Sequence, residues 1–159
     1  MERRLDDLKK DFSIYEKKYN LPSFEKLNED FDIEKAAEKE TDFLLREVRK
    51  IIMDKAIAYL RFIEMLINPS NAPMFFLGLI KSFTQEDKKI LEKMYSKLGE
   101  FEINVIEIDN VYSEKDEAEF IINIYKEWQK MKEDMKKIIE ALRRSWNSKS
   151  NKKEKGYLG

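Results

Sequence analysis

Apolar residues recur every three or four positions over three long stretches of this chain, and this spacing constrains the fold more than any other feature. An α-helix has about 3.6 residues per turn, so residues at such steps lie on one face of it. The three rows are Leu45, Val48, Ile52, Ala56, Tyr59, Ile63 and Leu66; Leu91, Met94, Leu98, Phe101, Val105, Ile108 and Tyr112; and Ile121, Tyr125, Trp128, Lys132, Met135, Ile139, Leu142 and Trp146. A mean step close to 3.5 residues is typical of coiled-coil seams. The rows predict long helices over about 33–67, 85–110 and 114–146.

Shorter apolar rows predict two further helices and a short turn. From about Arg4 to Tyr19 the same spacing holds, and Pro22 ends that helix because the residue before a proline is disfavoured in the α region. Ser23 can cap the short turn that follows. The most apolar run of the chain, Met74 to Phe83, predicts a short apolar helix after Pro73.

Helix starts can be placed from capping residues. Asp32 is a plausible N-cap for the helix over 33–67, Thr84 with Asp87 resembles a capping box, and Ser113 precedes the last long helix. The segment 101–108 is rich in β-branched residues and could form a strand. Strict alternation fails there while the helical spacing holds, so we predict a helix.

After Trp146 the apolar period stops. Residues 147–159 include four lysines and one glutamate, which predicts a disordered basic tail. The chain should therefore be all-α, with a single helical-bundle domain over 1–146 and a flexible tail over 147–159. We expect an antiparallel bundle of three or four long helices with one short apolar helix.

The composition excludes several classes of chemistry. The chain has no histidine and no cysteine, which removes histidine-based nucleophilic triads, conventional zinc sites, disulfides and iron–sulfur ligation. No phosphate-binding loop or dinucleotide motif is present. We therefore expect a protein that is not an enzyme, with no catalytic residues, no cofactor and no metal.

Acidic pairs at helical spacing suggest a remote alternative, a magnesium-dependent hydrolase of phosphorylated substrates. Glu34 with Glu38 and Glu114 with Glu117 have that spacing. Such pairs arise by chance in a chain with 32 acidic residues, and they lie near helix starts, where acids are favoured. Arg46 is four residues after Asp42, which predicts a surface ion pair.

The leading functional hypothesis is a helical interaction module that binds a protein partner or a second copy of itself. Its contact surface would be the apolar run, above all Phe75, Phe76, Leu79 and Ile80. The alternative interpretation of this run is a short helix buried against the bundle, with Gly78 allowing close packing.

A second hypothesis is a protein that binds nucleic acid or the ribosome through its basic C-terminal residues. The net charge of −1 gives no overall basic field, but basic residues cluster near the end of the chain. They are Arg143, Arg144, Lys149, Lys152, Lys153 and Lys155. Such residues also complement the dipole at a helix C-terminus and keep a protein soluble.

The sequence contains no run of about 18 apolar residues that would predict a membrane span. Its N-terminal residues are charged and include no apolar signal core. We therefore expect a cytoplasmic protein that does not enter a membrane.

Overall fold

The computed structural model describes the backbone of residues 4–157 and the side chains of residues 4–151. This part of the chain is all-helical and contains no strand, which confirms the predicted class. Its helices are α1 (Leu5–Tyr19), α2 (Phe24–Phe31), α3 (Leu44–Ile67), α4 (Met74–Ile80), α5 (Gln85–Asn110) and α6 (Glu114–Tyr157), with 3₁₀ helices at Ile33–Glu38 and Pro69–Asn71. None of the described helices is long and apolar enough to span a membrane.

Side-chain caps begin three of these helices where the sequence predicted them. The Ser23 hydroxyl accepts a hydrogen bond from the Lys26 backbone at 3.3 Å. At the start of α5 the Thr84 backbone donates to the Asp87 carboxylate at 2.9 Å, and the Asp87 backbone donates to the Thr84 hydroxyl at 3.1 Å. This reciprocal pair is a capping box, so the predicted cap is confirmed. The Ser113 hydroxyl accepts a hydrogen bond from the Asp116 backbone, in the first turn of α6, at 3.2 Å.

The start expected for the second long helix is wrong. Asp32 adopts a left-handed conformation, φ 56° and ψ 44°, and it ends α2 without its side chain capping a following helix. The next residues form a 3₁₀ helix, and the Asn28 side chain accepts from the Glu34 backbone at 2.9 Å. The helix α3 begins at Leu44, one residue before the first apolar residue of its row. The apolar row therefore marks the helix better than the candidate cap does.

The end expected for the last helix is also wrong, because α6 continues from Trp146 to Tyr157. No proline or glycine interrupts residues 147–155, and lysine and glutamate are good helix formers. The point where the apolar period stops is therefore where the side chains of α6 cease to be buried, and the helix itself continues. Side chains from Trp146 to Asn151 are all exposed.

The chain groups into two compact units, each built from two separate segments. The first unit contains residues 1–58 and 100–128, of which the structure describes those from 4 onward. Edge-to-face aromatic pairs lie in it, with ring centroids 5.7 Å apart for Phe12 and Phe24 and 5.5 Å apart for Phe101 and Phe120. The Phe31 and Trp128 centroids are 5.1 Å apart. These rings and the aliphatic residues around them form a core.

The second unit contains residues 59–99 and 129–159, and its core is aliphatic and rich in methionine. The buried apolar residues are Leu60, Ile63, Leu66, Leu79, Phe83, Leu91, Met94, Leu98, Met131, Met135, Ile138 and Ala141. On α6, Ile138 is buried whereas Ile139 of the predicted row is exposed, so beyond the buried Met135 the buried side of the helix no longer follows that row. That residues 1–146 form a single domain stays a prediction.

Candidate functional site

The short helix α4 exposes much of its apolar surface. Met74 is 87% exposed, Phe75 54% and Leu77 37%, although all three belong to the most apolar run of the chain. Trp146 of α6 is 51% exposed, and its ring centroid lies 5.2 Å from that of Phe75. We call Met74, Phe75, Leu77 and Trp146 the α4 surface. Clustered exposed aromatic and aliphatic side chains mark interaction sites more often than single ones do.

The opposite side of α4 fixes the helix to the second unit. Leu79 is buried and Ile80 is half-buried. The half-buried ring of Phe76 lies between Phe62 and Phe75, with centroid distances of 6.1 and 5.2 Å. Of the residues that the sequence assigned to partner binding, Phe75 is therefore accessible, Phe76 and Ile80 partly so, and Leu79 is not. Their role in binding stays a prediction.

A groove of about 370 Å³ begins beside Leu77 and extends the apolar area. Two lysines and one glutamate lie among its mostly apolar walls. The lining residues are Leu66, Ile67, Pro69, Leu77, Ile80, Lys81, Phe83, Lys88, Leu91 and Glu92. An apolar groove with cationic side chains suits an apolar ligand that carries negative charge at its margin.

Gly78 brings a basic side chain of α6 onto α4. A Cβ atom at this position would overlap the Lys149 ammonium, so the glycine leaves the space that this group occupies. Gly78 was expected to allow close packing, and its neighbour in the structure is Lys149. A positive charge thus lies beside the α4 surface, close to the last turn of α4.

The two units differ strongly in charge, which the overall value of −1 conceals. The ranges of the second unit include 16 basic and 8 acidic residues, a net charge of +8. The ranges of the first unit include 15 basic and 24 acidic residues, a net charge of −9. The α4 surface comes from two segments without any acidic residue, 65–85 and 141–153. This partition was missed from sequence because it depends on which distant segments pack together.

The residues assigned to nucleic-acid binding lie on α6. Arg143 and Arg144 are exposed, and the Lys149 ammonium lies over Gly78. The side chains of Lys152, Lys153 and Lys155 lie outside the described residues. Binding of nucleic acid or of the ribosome stays a prediction.

The acidic pair Glu114 and Glu117 is bound by cationic side chains. Lys18 and the Tyr19 hydroxyl each donate to Glu114 at 2.6 Å, and the bond from Lys18, with help from that of Tyr19, lowers the pKa of Glu114. Arg46 Nε donates to Glu117 at 3.0 Å, so the expected surface pair with Asp42 is wrong. Among the described residues no group of three acids is placed to hold a metal ion. These acids stabilise packing within the first unit.

Comparisons of the chain with protein-family models, curated proteins and solved structures gave no significant match. The α4 surface and the distribution of charge are therefore the features of this chain that indicate a function.

Proposed function

We propose that this chain is a non-enzymatic helical interaction module that binds another protein chain through the α4 surface. The observation that carries the proposal is the exposure of Phe75 beside Trp146, next to an apolar groove. Aromatic side chains of this kind dominate the binding energy of protein interfaces, because they bury a large apolar area.

The α4 surface suits binding because it is held in place before a partner arrives. Leu79 is buried, and the half-buried Phe76 packs on Phe62, so the exposed side of α4 has a fixed direction. A surface that is already ordered loses less conformational entropy on association than a mobile one.

We further propose that the three long helices, α3, α5 and α6, form an antiparallel bundle. Within the first unit Phe101 packs on Phe120, while Arg46 reaches both the Ile108 carbonyl, at 3.1 Å, and Glu117, at 3.0 Å. From Phe101 to Ile108 the contacts move towards the C-terminal end of α5, and from Phe120 to Glu117 they move towards the N-terminal end of α6. This order supports an antiparallel course for the two helices. The number of helices in the bundle, three or four, belongs to the same proposal.

The test is a capture experiment with tagged full-length protein in nuclease-treated lysate of the source organism. The wild type, Phe75→Glu and Ile14→Glu are compared, since Ile14 is an exposed apolar residue of α1 and serves as a matched control. We expect the wild type and the control to retain the same protein and Phe75→Glu to lose it.

The unfolding midpoints of the three proteins must agree for this comparison to hold. Identical capture by Phe75→Glu and the wild type would contradict the proposal. If every species captured from an untreated half of the same lysate is lost on nuclease treatment, the basic residues of α6 are favoured instead.

A further inference from the structure

A second exposed apolar feature lies on α5, within the first unit. Ile103 is 68% exposed and Ile106 is 66% exposed, which is unusual for β-branched apolar residues in the middle of a long helix. Steps of three and four place Ile103, Ile106 and Glu107 on one side of the helix. We call these three residues the α5 face.

The sequence around the α5 face is acidic. Residues 100–107 contain three acidic side chains and no basic one, while Asp109 and Glu114, further along, are paired with Arg49 and Lys18. The segment therefore has the charge opposite to that of segments 65–85 and 141–153, which form the α4 surface and contain no acidic residue. The α4 surface and the α5 face each combine exposed apolar side chains with neighbouring charge of one sign. They complement each other because the apolar side chains can pack together and the charges are opposite.

We propose that the α4 surface of one copy binds the α5 face of a second copy. Phe75 and Trp146 would cover Ile103 and Ile106, while Lys81 and Lys149 would lie near Glu107 and its acidic neighbours. The inference rests on the proposed function, since it uses the same surface and names its partner as this chain.

Such a contact joins two different patches, so it is heterologous. After pairing, one copy still has an unused α5 face and the other an unused α4 surface, so association continues until a ring closes or a linear chain forms. The charges steer the encounter and are screened by salt, while the apolar contact persists. We expect association that increases with protein concentration and weakens at high salt.

Sedimentation equilibrium of the full chain at several concentrations, in low and high salt, is the first test. Phe75→Glu places a negative charge where the acidic α5 face would dock, and Ile103→Lys places a positive charge where the basic α4 surface would dock. Each variant should be monomeric, with the association constant reduced by about thirtyfold or more, as for loss of an interface hot spot. Ile14→Lys, which changes an exposed residue of α1, should associate like the wild type.

The decisive experiment mixes the two monomeric variants. Phe75→Glu keeps an intact α5 face and Ile103→Lys keeps an intact α4 surface, so an equimolar mixture should form a one-to-one dimer that grows no further. A monomeric wild type at every concentration in low salt would overturn the inference. So would a mixture that stays monomeric, or an Ile103→Lys variant that associates normally. None of these outcomes contradicts the proposed function, because the capture experiment tests binding of a different protein.

Discussion

Arg49 and Glu117 form an ion pair in the interior of the first unit, with Arg49 Nε 2.8 Å from Glu117 Oε2. Both side chains are almost completely buried. Arg46 binds the other carboxylate oxygen of Glu117, and Asp109 accepts a hydrogen bond from Arg49 at 2.5 Å. Burial by itself would lower the pKa of Arg49, but the hydrogen bonds with Glu117 and Asp109 raise that pKa above its ordinary value. The guanidinium therefore stays charged inside the protein.

Removal of Glu117 should destabilise the fold severely. Glu117→Ala leaves the buried Arg49 charge without its fully buried partner, and such a loss typically costs about 3–5 kcal/mol. The free energy of unfolding, measured by urea denaturation with circular dichroism, should fall by this amount.

Asp109→Asn is the matched control, because the Asp109 side chain is half-exposed and water can replace part of its interaction. We expect a much smaller loss for this variant. Equal losses for the two variants would show that Glu117 has no special role. Arg49→Met combined with Glu117→Leu should recover part of the stability, since neither charge then remains buried.

Local signals in the sequence predicted the helices and several caps correctly, because both depend on neighbours within one turn. The Thr84 and Asp87 capping box formed as expected, and segment 101–108 is helical. Contacts between distant segments could not be predicted from such local spacing. Arg46 was assigned to Asp42 by spacing, but Glu117, 71 positions away in sequence, binds it.

The candidate site was predicted only in outline. The sequence identified the run around Phe75 but not which side of the short helix is buried, because every position in Met74–Ile80 except Gly78 is apolar and no polar face marks the solvent side. Trp146 was assigned to a core row, and its exposure follows from the buried row on α6 ending before it. The opposite charges of the two units were invisible until the segments of each unit were known.

Acid should remove the stabilisation that Glu114 provides. The bonds from Lys18 and Tyr19 lower the pKa of Glu114 below its ordinary value, so the folded protein favours the ionised carboxylate. This contribution is fully present above the pKa of the unfolded chain and is lost as the pH falls through the lower pKa of the folded state. Glu114→Gln should lower the urea midpoint relative to the wild type at about pH 7, and the difference should shrink by about pH 3.

Glu25→Gln is the control for this pH effect, since the contact of Glu25 within the described part of the chain is an exposed one, 3.8 Å from Lys9. Its urea midpoint should stay close to that of the wild type at neutral pH. A difference between Glu114→Gln and the wild type that is constant over the whole pH range would contradict the assignment.

The glycines of α4 and α5 should respond differently to alanine. At Gly99 nothing lies within 4 Å of an added Cβ, so Gly99→Ala should raise the free energy of unfolding by about 0.5–1 kcal/mol. At Gly78 the added Cβ meets the flexible end of Lys149, which must move aside, and the gain should be smaller. Adding Lys149→Ala to the Gly78→Ala variant should restore the full gain in the free energy of unfolding. Equal gains in the two single variants would show that Lys149 does not occupy that space in solution.

The extension of α6 beyond Trp146 should be helical without adding to stability. No side chain between Trp146 and Asn151 is buried, so Ser150→Pro breaks backbone hydrogen bonds but exposes no core. Its far-ultraviolet circular dichroism should lose helical signal while the unfolding midpoint stays close to that of the wild type. Ala141→Pro acts at a buried position of the same helix and should cost about 3 kcal/mol or more. An unchanged helical signal in Ser150→Pro would mean that the residues after Trp146 are not helical in solution, as the sequence first indicated.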